Sequence, residues 1–173
     1  MDANTRREEI IKVIKKSNNT PISASKIAKR FNVSRQIIVG DIALLRANGN
    51  DIIATPRGYV MMDNTLHNKY VGKCVSLHDA NDIKDELYTI VDLDGIVMNV
   101  IVDHEIYGEI TGNLDLRSRE DVDLYLSKLD SSKAVPLSIL TKGIHIHTII
   151  CRDKDDFDTI IKELEEKNFI FNS

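Results

Sequence analysis

The sequence has little of what would assign a function at once. It has only two cysteines, Cys74 and Cys151, which are far apart and form no CxxC pair, so we interpret both as reduced thiols. Its longest apolar stretches, such as Gly95 to Val102, which Asn99 interrupts, are far too short to span a bilayer. The start, MDANTRREEIIK, has no apolar segment after a basic one. We therefore expect no secretory signal and a cytoplasmic protein.

Common enzyme motifs are missing too. The chain contains no GxGxxG, Walker loop, GxSxG or HExxH, and it has no internal repeats. Its 173 residues are 42% hydrophobic and 29% charged, which is typical of folded domains, and the length suits one domain or two small ones. No local signature therefore supports an enzyme.

Charge is divided unevenly along the chain. Residues 1–62 contain 11 Lys/Arg against 5 Asp/Glu, a net charge of +6, whereas the remaining residues contain 12 against 22, a net charge of −10. We predict two modules, residues 1–63 and residues 69–173, joined by a polar link at 63–68. The basic first module is suited to binding a polyanion.

The first module has the pattern of three short helices. Thr5–Glu8 has the spacing of a capping box in front of an apolar stripe. Ser23 and Ser34 each precede a further stripe and are predicted to cap the second and third helices. Two short helices joined by a tight turn form a helix-turn-helix, whose second helix enters the major groove of DNA.

The predicted recognition helix begins with side chains that suit DNA. Its start is Ser34-Arg35-Gln36, and arginine and glutamine read guanine and adenine through paired hydrogen bonds. Residues 51–61 predict a hairpin with Arg57 at a basic tip, which is the wing of a winged helix. We therefore predict that Ser34, Arg35, Gln36 and Arg57 bind double-stranded DNA. A three-helix bundle that contacts other proteins is the alternative.

The second module alternates between strand-like and helix-like segments. Strands are predicted at 70–77, 95–103, 108–116 and 143–151, and helices at 79–91, 118–129 and 154–167. Because no glycine-rich phosphate loop accompanies this alternation, we predict a small α+β sandwich. Its helices lie on one face of a mostly antiparallel sheet.

Two histidines stand out in the last predicted strand. Strand side chains alternate, so His145 and His147 point to the same face, about 7 Å apart along the chain. Such a pair is a frequent start for a divalent metal site. Taken alone, however, two histidines at this spacing are more often surface or hydrogen-bonded residues than metal ligands. His78 and Glu86 are the remaining candidate ligands, and such a set suits Zn²⁺, Ni²⁺ or Fe²⁺ better than Mg²⁺ or Ca²⁺. His104 ends another strand, where it either lines the same pocket or is a loop histidine.

Several segments resemble the niacin-responsive repressors of the NiaR family. In the first module they are residues 33–47 and 53–59, and in the second they are residues 76–79, 86–92, 102–108 and 143–148. The resemblance covers essentially the whole chain. It departs from the family at Glu105, where proline is frequent, and at Gly40, where a polar or larger residue is frequent.

This resemblance implies a repressor of genes for NAD synthesis or niacin uptake, with nicotinic acid as the co-repressor. It implies one divalent metal ion bound by His78, Glu86, His145 and His147. It also implies a homodimer, because operator symmetry mirrors protein symmetry. We expect His104 and Tyr107 to recognise the rest of the ligand. The alternatives are a metal-responsive regulator and a metal-dependent hydrolase fused to a DNA-binding module.

Overall fold

The computed structural model describes residues 2–61 and 69–172. The chain separates into two compact units, residues 1–65 and residues 66–173. The predicted polar link at residues 63–68 lies outside the described residues. Within the described ranges, no helix is long and apolar enough to cross a bilayer.

The first unit consists of three helices followed by a hairpin. The helices are α1 (Ala3–Lys15), α2 (Ala24–Phe31) and α3 (Arg35–Ala47), and the antiparallel strands are β1 (Ile52–Thr55) and β2 (Gly58–Met61). Apolar side chains at helical spacing from all three helices form its core together with Ile52. The prediction of a winged helix-turn-helix is therefore confirmed.

Capping side chains fix the helix starts in this unit. Ser23 and Ser34 each accept a hydrogen bond from the backbone N–H three residues further on, at 3.2 Å, as predicted. Helix α1 differs, because the Asp2 carboxylate accepts bonds from two backbone N–H groups of the first turn. The predicted capping box at Thr5–Glu8 is therefore wrong. An ionised carboxylate also interacts favourably with the positive end of the helix.

The wing is attached to the segment that precedes α2. The backbone groups of Ile22 and Tyr59 exchange two hydrogen bonds of 2.9 Å. Gly58 lies beside this bridge with a φ of +139°, and an added Cβ would overlap the Ile22 carbonyl group. Only glycine fits this position without strain.

Replacing Gly58 with alanine should destabilise the first unit by about 2 kcal/mol, because a steric clash adds to the backbone strain. Gly40 in α3 offers a matched control, since nothing lies within 4 Å of an added Cβ there. Gly40→Ala should stabilise the unit by up to about 1 kcal/mol through helix propensity. Urea unfolding of both variants measures the difference, and effects of the same sign would contradict this account of the wing.

The second unit is an antiparallel sheet covered by helices. Its strands β3 (Tyr70–Leu77), β4 (Ile96–His104), β5 (Gly108–Leu116) and β6 (Ile144–Cys151) lie in the order β3-β6-β4-β5. The helices are α4 (Ile83–Asp92), α5 (Arg119–Ser132) and α6 (Lys154–Glu166). All three contribute to one core with the sheet, which confirms the α+β prediction. Short 3₁₀ helices cover Ala80–Asp82 and Leu137–Thr141, and the second of these was not predicted.

The two faces of this sheet differ in burial. In β3 and β6 the side chains that face the helices are mostly buried, whereas Val71, Val75 and Ile144 on the outer face are 38% to 53% exposed. Cys74 and Cys151 are both free thiols buried on the covered side. Burial raises the pKa of Cys74 to about 12 and that of Cys151 to about 11. Both thiols are therefore protonated at neutral pH.

Strand β4 pairs irregularly with its neighbours. The register shifts between Val97 and Asn99, which marks a β-bulge. The side-chain Oδ1 of Asn99 accepts a hydrogen bond of 3.1 Å from the backbone N–H of Thr148 in β6. A side chain therefore satisfies a donor of the central strand at the bulge.

Candidate functional site

Strand β6 places two imidazoles side by side on the covered face of the sheet. His145 and His147 are each 3% exposed, and their ring centroids are 4.8 Å apart. Both rings point to the same face, as the strand period predicts. Two adjacent buried imidazoles require partners, because an unpaired buried polar group is costly.

The neighbouring strand and the following helix bring in two more polar residues. Ser76 in β3 pairs with His145, so His78 lies at the same end of the sheet. Asp79 then accepts a hydrogen bond from a backbone N–H two residues further on and begins the short 3₁₀ helix that leads into α4. Glu86 lies on the buried face of α4 and is 1% exposed.

All three imidazoles meet one carboxylate oxygen. The distances from Nε2 to Glu86 Oε2 are 2.6 Å for His78, 3.2 Å for His145 and 3.3 Å for His147. The ligand atoms of His78, Glu86 and His145 all lie within 4.8 Å of one another, whereas His147 meets Glu86 from outside that tightest set. The structure thus brings together the four residues named from the sequence.

The backbone orients all three rings. Their Nδ1 atoms lie 2.8, 2.8 and 2.7 Å from the carbonyl oxygens of Asp79, Gly143 and Asn99 respectively. A carbonyl oxygen only accepts hydrogen bonds, so each Nδ1 donates its proton. In the neutral rings Nε2 then carries the free electron pair. Metal-binding histidines in proteins are oriented in the same way.

Burial disfavours the charged forms of the residues in this cluster, but their interactions with one another have a larger effect on the pKa values. Burial acts to raise the pKa of Glu86, yet the charge of His147 and the hydrogen bonds from the imidazoles hold that pKa well below its usual range. Burial acts to lower the pKa values of His78 and His147, and the Glu86 carboxylate raises both. The cluster is therefore built around a buried negative charge that attracts cations.

The donor set fits a divalent metal ion. Glu86 Oε1 is buried and has no hydrogen-bond partner among the residues that the structure describes. Glu86 Oε2 faces three Nε2 atoms, and protonating all of them would bury three positive charges around one negative charge. A divalent cation removes both problems, because it accepts electron pairs from oxygen and nitrogen. Ligand atoms about 2.1 Å from one ion lie roughly 3.0–3.4 Å apart, which is close to two of the three measured separations.

His104 and Tyr107 do not join this cluster in the structure. They lie at the turn between β4 and β5, where Tyr107 is 75% exposed. His104 Nδ1 accepts hydrogen bonds of 3.2 and 3.4 Å from the backbone N–H groups of Ile106 and Tyr107. His104 therefore stabilises the turn, and a role for these two residues in ligand binding stays a prediction.

The start of α3 is open to solvent in the first unit. Arg35 and Gln36 are exposed, and Ser34 caps the helix through its side chain. A capped, positively polarised helix start is suited to phosphate. Arg57 is half-buried in the turn of the wing, less exposed than a free tip, and its backbone N–H donates to Thr55 Oγ1 at 3.3 Å.

One buried ion pair behind α3 was not predicted. Asp41 is 4% exposed and accepts a hydrogen bond of 2.6 Å from Arg6 Nε, while Arg7 Nη1 lies 3.4 Å away. These contacts join α1 to α3 and thereby support the helix predicted to enter DNA. The sequence contained a signal, since Asp41 lies within the apolar stripe that includes Ile38 and Ile42.

Both units match known domain families, and the whole chain matches known proteins. Residues 6–60 match the HTH domain, and residues 72–173 match the 3H domain. The chain is 38% identical over 166 residues to the probable transcription repressor NiaR of Thermotoga maritima, covering 95% of this chain and 93% of that protein. It is 37% identical over 172 residues to the transcription repressor NadR of Bacillus subtilis, covering 98% and 94% respectively.

Together with the winged helix, these matches define a DNA-binding transcription repressor, not an enzyme. The helix-turn-helix supplies the DNA contact, and the second unit carries the buried cluster. The chain belongs to the NiaR family of repressors. The resemblance noted in the sequence is therefore confirmed.

Proposed function

We propose that this repressor controls genes for NAD biosynthesis or niacin uptake and uses nicotinic acid as its co-repressor. The observation that carries the proposal is the convergence of three imidazole nitrogens on the buried Glu86 carboxylate. In a repressor, such a site is suited to holding a ligand whose binding changes DNA affinity. The choice of nicotinic acid rests on the family resemblance.

One divalent ion, Zn²⁺, Ni²⁺ or Fe²⁺, is proposed to be held by His78, Glu86, His145 and His147. When bound, it supplies positive charge and accepts an electron pair from a carboxylate or a pyridine nitrogen. The chain orients the donor rings through backbone carbonyls and keeps the cluster buried. His104 and Tyr107 are retained as proposed contacts to the far end of the ligand.

For the DNA-binding side, we propose a domain of residues 1–63 and a regulatory domain of residues 69–173. Ser34, Arg35, Gln36 and Arg57 are the proposed contacts to a double-stranded operator. The ligand raises operator affinity only by its preference for the DNA-competent state. We place this activity in the cytoplasm, with the operator DNA.

We also propose a homodimer, because operators of helix-turn-helix repressors are two-fold symmetric. In the regulatory domain, the outer sheet face around Val71, Val75 and Ile144 is suited to a second copy, since it is apolar and exposed. Sedimentation equilibrium measures the mass, and a monomer at operator-binding concentrations would exclude this arrangement.

Calorimetric titration of nicotinic acid tests the effector. Metal-loaded protein should bind nicotinic acid, and chelator-stripped protein should not. Nicotinamide is the control and should bind more weakly, because it lacks the negative charge that the metal site attracts. If neither form bound nicotinic acid, the effector would be wrong while the assignment to a repressor family would stand.

A metal-responsive repressor is the second candidate. It is favoured by the number of donors, because four protein ligands can fill a tetrahedral site and leave no position for an organic molecule. Chelation alone would then change operator affinity, and refilling the site would restore it. Operator binding measured with loaded and stripped protein, in the absence of nicotinic acid, separates the two candidates.

A further inference from the structure

Two apolar side chains at the start of α3 are exposed to solvent. Ile37 is 42% exposed and Val39 is 36% exposed, although Ile38 between them is fully buried in the core of the first unit. Both follow directly after Arg35 and Gln36, which are also exposed. The helix therefore presents apolar and polar side chains together at the end that is expected to enter the major groove.

Gly40 leaves open space beside these two side chains. A Cβ added at Gly40 would have none of the described atoms within 4 Å, so the packing of the unit does not require a glycine there. By the helical period, Gln36, Gly40 and Ala43 lie on the face of α3 opposite the buried Ile38 and Ile42. Small residues on this face allow the edges of bases to approach the helix closely.

The surroundings of the two apolar side chains favour DNA as their partner. Residues 1–62 carry a net charge of +6, and residues 6–60 match the HTH domain. Basic side chains on α2 are also exposed, namely those of Lys26, Lys29 and Arg30. A polyanion is attracted to such a surface, and the apolar pair is continuous with the helix start that is proposed to contact its bases.

We propose that Ile37 and Val39 read the 5-methyl groups of thymines in the major groove of the operator. The inference rests on the proposed contacts between α3 and DNA, and it adds two specificity-determining residues to them. Thymine alone among the DNA bases presents a methyl group in that groove, and apolar side chains recognise it by burying it. Arg35 and Val39 lie one turn apart, roughly 6 Å along the helix axis. Because successive base pairs are roughly 3.4 Å apart, the thymine lies within about two base pairs of the base that Arg35 contacts.

Uracil tests the methyl contact directly, because it differs from thymine only in lacking the 5-methyl group. Each thymine of an operator selected from random duplexes is replaced in turn by uracil, and binding of the full chain is measured by fluorescence anisotropy under the conditions of the selection. At one or two positions the replacement should weaken binding roughly fourfold, as expected for the loss of one buried methyl group. A double variant, Ile37→Ala with Val39→Ala, should bind the thymine and uracil operators equally.

Leu44→Ala is the matched control. Leu44 is another apolar residue of α3 and is 52% exposed, but it lies in the second half of the helix. Leu44→Ala should therefore keep the full preference for thymine over uracil. Alanine has the highest helix propensity and the replaced side chains are exposed, so thermal unfolding should show that every variant is folded.

The inference would be overturned if the unmodified protein bound thymine and uracil operators equally at every position. Such a result would leave Ile37 and Val39 as contacts for a protein partner. Removal of the preference by Leu44→Ala, with the double variant keeping it, would overturn the inference as well.

Arg35→Ala in the same assay separates this failure from a failure of the proposed function. If Arg35→Ala lost operator affinity while uracil had no effect, the proposed contacts of α3 would stand and methyl recognition alone would be wrong. If neither change affected binding, both would be wrong.

Discussion

Replacing His145 with alanine should weaken metal binding by at least about 10- to 100-fold and abolish the response to nicotinic acid. Changing an outer partner of a metal ligand already costs about 10- to 100-fold, so the loss of a ligand costs no less. His145 belongs to the tightest set of donors, and its Nε2 lies 3.2 Å from Glu86 Oε2. Metal content after dialysis, followed by a nicotinic acid titration, measures both effects.

His104→Ala is the matched control for metal content. His104 is also a histidine of the second unit, but it stabilises the turn between β4 and β5 and does not meet Glu86. Glu86→Gln separates charge from shape, because it keeps the volume of the side chain and removes the negative charge. Glu86→Gln should lose metal as His145→Ala does. Normal metal content in both variants would end the proposal of a metal site here.

Arg35→Ala should lower affinity for the operator by about 10- to 100-fold, because a paired arginine–guanine contact is worth about 1–3 kcal/mol of discrimination. Arg35 is exposed in the first turn of α3, next to the Ser34 cap. Binding is measured by fluorescence anisotropy with an operator selected from random duplexes. Arg35→Ala should lower the affinity for this operator much more than the affinity for unrelated DNA, where only phosphate contacts count.

Arg46→Ala supplies the control in the same helix. Arg46 is exposed but lies in the last turn of α3, far from the end that is expected to meet bases. This variant should affect operator and unrelated DNA alike, and only slightly. If Arg46→Ala lost more operator specificity than Arg35→Ala, the assignment of base contacts to the start of α3 would be wrong.

Much of the fold was accessible from the sequence because its signals are local. Ser23 and Ser34 mark helix starts by their own hydrogen bonds, and the alternation around His145 requires only the strand period. Asp2 was missed as a cap, since Thr5 and Glu8 offered a competing pattern in the same turn. The 3₁₀ helix at Leu137–Thr141 is too short to produce a hydrophobic period.

Other parts of the site depend on contacts between distant residues. Tyr125 lies in an amphipathic helix, where the sequence pattern indicates an ordinary core residue. Only the packed structure shows that it lines a cleft together with Glu86. The carbonyl groups that orient the imidazoles belong to the backbone, and the residue type does not reveal them. The grouping of His78 with Glu86 was accessible, because a strand end and the helix after it are neighbours in sequence.

The bulge in β4 makes Asn99 part of both the strand pairing and the histidine cluster, so a substitution at this position affects both. Asn99 accepts the His147 Nδ1–H with its backbone carbonyl and the Thr148 N–H with its side chain. A substitution there would leave a donor of the central strand unsatisfied and loosen the histidine next to it. The substitutions that position 99 can accept are therefore restricted by strand pairing as well as by ligand binding. Amide exchange at Thr148 should accordingly quicken in an Asn99→Ala protein before the rest of the sheet opens.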